Sequence, residues 1–285
     1  MTYKLIALDL DGTILRDDLT ISPRVSYALE QVMAQGIDVT LASGRGYPAM
    51  VRWAQELHIS VPVISYQGAV ITDPLRHECL YQRTFSLNLV AELAEFARQA
   101  DLSLTIYAQN HIYVERKRHP DAFYNKWFGL PFHTVSDLSK ALPAEPTKFM
   151  LIGSEEELDA IGPEVERRFG ERLQIVRSHR LFLEGLPLGV SKGSALAWLA
   201  EWLHISREET LAIGDEDNDV SMITWAGLGV AMGNASAEAK AAADYVAPSV
   251  EDDGVAEVLE RFCLEENGGA SRQARFHARL PGNPA

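Results

Sequence analysis

The stretch Leu5-Ile6-Ala7-Leu8-Asp9-Leu10-Asp11-Gly12-Thr13 constrains this chain more than any other. Its first four residues are apolar without alternation, the pattern of a parallel strand covered by helices on both faces. The run then stops in two carboxylates, a glycine and a hydroxyl. Acids at positions i and i+2 of extended chain point the same way, so Asp9 and Asp11 are expected to converge. Like charges that close repel unless a cation sits between them, and a hard divalent ion with oxygen ligands, Mg²⁺ above all, suits the pair. A strand end capped by solvated acids around an Asp-Gly turn is the other reading of the same residues.

Behind this strand, helices and strands alternate. Ser22-Pro23 offers an N-cap with proline in the first turn, and Val25, Leu29, Val32 and Met33 stripe a helix ending near Gly36. Residues 37–42 read as a second strand, running into Ser43-Gly44-Arg45 and a helix over 48–57. Residues 61–65 read as a third, ending in Tyr66-Gln67-Gly68-Ala69. This rhythm belongs to a parallel α/β sheet, whose ligands collect at the carboxyl ends of the strands.

From about Phe85 to Pro187 the rhythm changes. A helix over 87–100 precedes strands at 102–107 and 112–116, joined through Gln109-Asn110-His111. A helix over 121–128 and strands at 132–135 and 149–152 follow. Ser154 and Glu157 form a capping box for a helix reaching Phe169, and strands at 173–176 and 181–183 close the segment. The first rhythm then returns: Gly189-Val190-Ser191-Lys192-Gly193, a helix over 194–203, a strand at 210–213, and Gly214-Asp215-Glu216-Asp217-Asn218-Asp219. Short strands at 228–232 and 245–247 and a helix over 254–264 complete it. The expected fold is α/β, a Rossmann-like doubly wound parallel sheet made of residues 1–84 and 188–264, with an α+β domain, 85–187, inserted. Residues 265–285 are rich in Gly, Ser, Arg, Pro and Asn and read as a disordered tail.

The formal net charge of -14 argues against a nucleic-acid partner, whose affinity comes from Lys and Arg neutralising phosphates. No apolar run is long enough to span a bilayer, and the first strand starts at once, leaving no room for a signal peptide. No membrane partner and a cytoplasmic location are therefore expected. Cys79 and Cys263 lack paired spacing and read as buried thiols rather than a disulfide or metal site. The 8 histidines include no His-x-x-x-His pair, which disfavours zinc.

Asp9 with Asp11, Ser43-Gly44, Lys192, and Asp215 with Asn218 and Asp219 all fall at strand ends or helix starts. Together they supply acids for a metal, a hydroxyl and amides for an anion, one cation, and a carboxylate free to attack. Phosphoryl transfer needs that set, because its catalysis is mostly positioning and neutralisation of spread negative charge. Lys192 stands at a helix N-terminus, where the macrodipole disfavours a cation; facing a phosphate would explain it, and a solvated surface lysine is the plain alternative. The acidic 215–219 run could equally be a solvated loop, and Ser43 a turn hydroxyl bonding its own backbone.

These segments resemble the four motifs of the haloacid dehalogenase-like hydrolases, and their order, with a large insertion between the second and third, resembles the Cof-type sugar-phosphatase branch. The resemblance spans residues 1–264. It implies a nucleophile at Asp9 that forms an aspartyl-phosphate, and a general acid and base at Asp11. It implies phosphate binding by Leu10, Ser43, Gly44, Lys192 and Asn218. Mg²⁺ would be held by Asp9, the Asp11 carbonyl and Asp215, with Asp219 in support. Gln67 stands where the family usually has Asn, and Gly233-Asn234-Ala235 matches a late family element.

The insertion would be a cap that chooses the leaving group, with Tyr107, Tyr113, Arg116, Lys117, Arg118, His119, Tyr124 and Trp127 its notable residues. Arg116 to His119 could greet an anion, although a basic stretch is more often a solvated face. The expected activity is a Mg²⁺-dependent phosphatase acting on a small phosphorylated metabolite, a sugar phosphate foremost, by a monomer or small homo-oligomer. A phosphosugar mutase or phosphotransferase is the alternative, and a non-catalytic binding regulator a more distant one.

Overall fold

The computed structural model describes residues 3–264. β1 (Leu5–Leu8) leads to α1 (Pro23–Ala34), β2 (Asp38–Leu41), α2 (Tyr47–Glu56), β3 (Val63–Ser65), β4 (Val70–Asp73) and β5 (Glu78–Gln82). Next come α3 (Leu87–Gln99), β6 (Ser103–Ala108), β7 (His111–Val114), α4 (Asp121–Phe128), β8 (Phe132–Thr134) and α5 (Leu138–Ala141). β9 (Lys148–Ile152), α6 (Glu155–Phe169), β10 (Leu173–His179) and β11 (Phe182–Pro187) follow. The chain then runs through α7 (Lys192–Trp202), β12 (Thr210–Gly214), α8 (Val220–Trp225), β13 (Leu228–Ala231), α9 (Ala237–Ala242), β14 (Tyr245–Val246) and α10 (Gly254–Leu259).

β1 is apolar on both faces because it lies inside a parallel sheet of order β14-β13-β12-β1-β2. On one side Ile6, Leu8, Leu211 and Ile213 join α1, α2 and α10; on the other Leu5, Ala7 and Ala212 meet α7 through Leu196 and Leu199. Helices on both faces of a parallel sheet make the α/β core that the strand pattern implied. Ser22 caps α1, its hydroxyl accepting from the Val25 amide at 3.2 Å, with Pro23 in the first turn. Such a cap contributes about 1 kcal/mol.

A separate sheet of order β10-β11-β9-β6-β7-β8 forms the cap over this core. One face packs on α3 and α6 through Leu93, Phe96, Phe149, Leu151 and Phe169. The other carries Tyr107, Met150, Phe182 and Leu186, and packs with Tyr66, Val70 and Val190 from the flanking chain.

Several expectations need correction. The strand expected at 61–65 touches the parallel sheet only through an Ala42–Ile64 bridge; its regular partner is β4, antiparallel, in a β3-β4-β5 sheet. That hairpin and the six-residue α8 and α9 were not anticipated. α7 begins at Lys192 rather than 194, and the last helix is regular only to Leu259 before a π-turn at Glu260–Leu264. Cys79 is exposed, not buried, because β5 is an edge strand, and Cys263 is half-buried. No helix among the described residues is long and apolar enough to cross a membrane. The expected tail at 265–285 lies outside the described residues.

Candidate active site

Leu8 pairs with Ile213 and Leu5 with Thr210, so the ends of β1 and β12 leave the sheet side by side. Asp9 and Asp215, each just past its strand, therefore emerge at one edge. Lys192 opens α7 there, with Ser191 as N-cap, its hydroxyl accepting from the Ser194 amide at 3.0 Å. Lys192 is 1% exposed, which rules out the solvated-lysine reading. Its ammonium donates to Asp9 Oδ1 at 2.5 Å and to Asp219 Oδ1 at 2.6 Å.

Asp219 Oδ2 accepts the Asp215 and Glu216 amides at 3.0 and 3.1 Å, so the acidic loop wraps around its own last carboxylate. Asp215 and Asp219 are buried while Glu216 and Asp217 face solvent. Thr13 Oγ1 donates to Asp215 Oδ1 at 3.0 Å. Asn234 Nδ2 donates to the Gly12 carbonyl at 2.9 Å and lies 3.4 Å from Asp215 Oδ2, tying the late 233–235 element to the first motif.

Oxygens of Asp9, Asp215 and Asp219 lie within 4.8 Å of one another. Three carboxylates around one ammonium leave a negative excess matched by a divalent cation, and an all-oxygen donor set suits a hard one. Titration tells the same story. Burial pushes the Asp9 carboxyl well above its usual range, Lys192 opposing and Asp219 and Asp215 reinforcing. Burial and then the Asp219 charge push Asp215 up to about 7, against the pull of Thr13 and Lys192. Burial alone would lower the Lys192 ammonium, but Asp219 and Asp9 together hold it above its ordinary value. The residues present fit a bound metal ion.

Asp11 is half-exposed beside Arg45, whose guanidinium also feels the Asp9 charge. The Asp11 carboxylate is taken by Arg45, Nε donating to Oδ2 at 2.7 Å and Nη2 to Oδ1 at 2.6 Å. Extended chain ends at Leu8: the Leu10 carbonyl accepts the amides of Thr13, Ile14 and Leu15, bending the chain, and Gly12 takes φ +82°. Leu10 buries its side chain completely, so only its backbone can meet a ligand.

Ser43 is buried at the end of β2, its Oγ accepting from the Arg45 amide at 3.1 Å as a turn hydroxyl does. Gln67 has φ +59°, a left-handed conformation in which Asn is enriched among non-glycine residues. Its amide donates to the Ser43 carbonyl at 3.0 Å and its Oε1 accepts from Asn218 Nδ2 at 2.9 Å. A Cβ on Gly44 would stand 2.5 Å from Gln67 Nε2, so a larger residue there would have to displace the end of that side chain.

The basic cap stretch is a solvated face, occupied by its neighbours. Arg116 pairs with Asp101 at 2.6 Å, Lys117 with Asp121 at 2.9 Å and Arg118 with Glu157 at 2.8 Å. His119 stacks on Phe123 with ring centroids 4.2 Å apart, Tyr113 stacks on His133, and Tyr124 is buried with its OH accepting the Arg118 amide at 3.1 Å. The Trp127 side chain lies outside the described residues. Lys148 and Glu184, unforeseen, form a buried pair at 3.1 Å on the cap sheet. The signal available was a charged residue at the head of one apolar strand run, Lys148-Phe149-Met150-Leu151-Ile152, and another inside a second, Phe182-Leu183-Glu184-Gly185-Leu186.

Residues 6–259 match the haloacid dehalogenase-like hydrolase family. Among curated proteins, the 5-amino-6-(5-phospho-D-ribitylamino)uracil phosphatase YcsE of Bacillus subtilis is 32% identical over 268 residues, covering 92% of this chain and 96% of its own. Phosphatase YwpJ of the same organism is 32% identical over 285 residues, covering 91% and 99%. Among solved structures, a haloacid dehalogenase-like hydrolase from Bacteroides thetaiotaomicron superposes with TM-score 0.82 at 36% identity, over 91% of this chain and 99% of that one.

Proposed function

The chain belongs to the haloacid dehalogenase-like hydrolases, and on that premise we propose that it is a Mg²⁺-dependent phosphatase releasing phosphate from a small phosphorylated metabolite, a sugar phosphate, through an aspartyl-phosphate on Asp9. The observation that carries the reading is the buried meeting of Asp9, Lys192, Asp215 and Asp219 at the ends of β1 and β12. Relatives named as phosphatases support it, one of them for a phosphate ester on a ribityl chain. In this reading residues 1–84 and 188–264 form the catalytic core and 85–187 the cap that closes over it.

The Asp9 and Asp215 carboxylates and the Asp11 carbonyl would hold Mg²⁺, Asp219 supporting; when bound, the ion would neutralise charge on the nucleophile and on the phosphoryl oxygens. Asp9 attacks phosphorus; the bond from phosphorus to the leaving oxygen breaks, and Asp11 gives that oxygen a proton. Water then attacks the aspartyl-phosphate, Asp11 takes its proton, and the bond between phosphorus and the Asp9 oxygen breaks to release phosphate and the free carboxylate. Ser43, the Leu10 and Gly44 amides, Lys192 and Asn218 hold the phosphoryl oxygens. Arg45 donates to both Asp11 oxygens, so proton exchange with a leaving group requires one of those bonds to open.

The test is hydrolysis of p-nitrophenyl phosphate and a panel of sugar phosphates, with Mg²⁺ and with excess chelator, by wild type and Asp9→Asn. Free phosphate should appear only for wild type with Mg²⁺. Full activity of Asp9→Asn, or in chelator, would overturn the nucleophile or metal assignment; an isomerised sugar phosphate in place of free phosphate would favour the mutase.

A further inference from the structure

We propose that Lys148 and Glu184 of the cap read the leaving group, selecting an uncharged polyhydroxylated one; the inference rests on the phosphatase reading above. Lys148 Nζ lies 3.1 Å from Glu184 Oε2, and each side chain is only 5% exposed, whereas the Arg116, Lys117 and Arg118 pairs lie at the surface. Side chains alternate along a strand, so on β9 Lys148 shares a face with Met150 and Ile152, away from Phe149 and Leu151. On β11 Glu184 likewise shares a face with Phe182 and Leu186. Those neighbours belong to the cluster that includes Tyr66, Val70 and Val190, not to the one beneath α3 and α6. The pair therefore points from the cap sheet toward the core.

Its position there is specific. Lys148 Nζ donates to the Gly44 carbonyl at 3.4 Å, in the loop between β2 and α2 whose Ser43 and Gly44 are assigned to the phosphate. Tyr107, opposite Lys148 in the β6–β9 register, places its ring 4.7 Å from Nζ, and the Tyr66 ring meets Tyr107 edge-on at 6.1 Å. Tyr66 OH donates to Asn110 Oδ1 at 3.1 Å, joining the core to the β6–β7 turn. Ammonium, carboxylate and two aromatic rings thus line the cap side of the phosphate loop.

Burying an ion pair removes several kcal/mol of hydration per ion, and apolar residues of similar volume are often as stable or better. A pair kept in this place has a function available to it that Met and Leu would not have. An ammonium only donates hydrogen bonds and an ionised carboxylate only accepts them, so side by side they match neighbouring hydroxyls, which do both. With no net charge, the pair gives a second anionic group on the substrate no counter-ion. Sites built to bond a hydroxyl discriminate strongly against analogues lacking it, because their own polar groups are left unpaired.

The experiment compares kcat/KM for hexose 6-phosphates and pentose 5-phosphates with that for p-nitrophenyl phosphate, which has no hydroxyl. Wild type, Glu184→Gln and the double variant Lys148→Met/Glu184→Leu are assayed with Mg²⁺, and folding is checked by thermal transition. The double variant leaves no lone buried charge and keeps the test decisive where the single one fails to fold. The expected result is a loss of at least about tenfold in the sugar-to-aryl ratio, carried mainly by the sugar substrates. An unchanged ratio in the double variant overturns this inference alone; a wild type that hydrolyses the aryl ester but none of the sugar phosphates overturns it together with the sugar-phosphate substrate, while the phosphatase chemistry stands. A wild type inactive on every substrate overturns the phosphatase reading and this inference with it.

Discussion

Replacing Lys192 by methionine tests whether the site is held together by charge. The methionine fills similar space but leaves Asp9 and Asp219 without the ammonium that reaches them at 2.5 and 2.6 Å. Removing one partner from a buried ion pair costs about 3–5 kcal/mol. Relief of the unfavourable cation at the α7 N-terminus returns only about 0.3–1 kcal/mol, so the loss dominates. At about 2–4 °C per kcal/mol for a chain somewhat shorter than this one, the thermal midpoint should fall by roughly 10 °C in excess chelator. Chelator is needed because a bound divalent ion would stand in for the lost charge.

Asp219→Asn closes a double-mutant cycle. Its remaining side-chain oxygen can still accept the Asp215 and Glu216 amides, now at 3.0 and 3.1 Å, so this change removes the charge but keeps the loop fold. In the double variant a neutral amide lies against a thioether, and only Asp9 stays unpaired. The two effects should then fall short of their sum by about 2 kcal/mol, within the range seen for residues in one network. Scanning calorimetry of the four proteins reads this directly. Additive shifts, or a Lys192→Met midpoint within about 2 °C of wild type, would refute the electrostatic account.

Arg45→Lys keeps a positive charge but loses the two-pronged hold on Asp11, so kcat toward p-nitrophenyl phosphate should fall about tenfold, equivalent to ~1.4 kcal/mol, while KM moves little. Unchanged kcat would show that the bidentate geometry is not needed to aim Asp11. Gly185→Ala would drive a Cβ into the ring of Phe149, its register partner across β11 and β9, and overpacking of this kind costs about 1–3 kcal/mol. The midpoint should drop by several degrees and recover when Phe149→Leu is added; a drop that persists would point to the backbone instead.

What could be read from residues alone was whatever a single segment decides. The β1 run and the Ser154–Glu157 capping box carry their instructions within a few residues, and both formed where expected. Lys192 beside a Ser191 cap raised the right question, but its answer came from Asp9, 183 positions away. Asp11 shows why the rest was hidden: its direction follows from a turn closed on Leu10 and from Arg45, 34 positions away. Lys148 and Glu184 meet only because β9 and β11 pair in one register, which neither segment specifies. The β5 strand escaped notice because, with β4 on one side and solvent on the other, it needs no apolar run.

The place of β1 in its sheet also sets an order of events during synthesis. Its neighbours are β2, made almost at once, and β12, which pairs Thr210 with Leu5. At about 5–20 residues per second, the ribosome needs roughly 10–40 s after making β1 to deliver that second neighbour. Through that interval an entirely apolar strand waits with one edge open while the segments that build the two other sheets are made and can fold. The site between β1 and β12 is therefore among the last features of the molecule to come into existence.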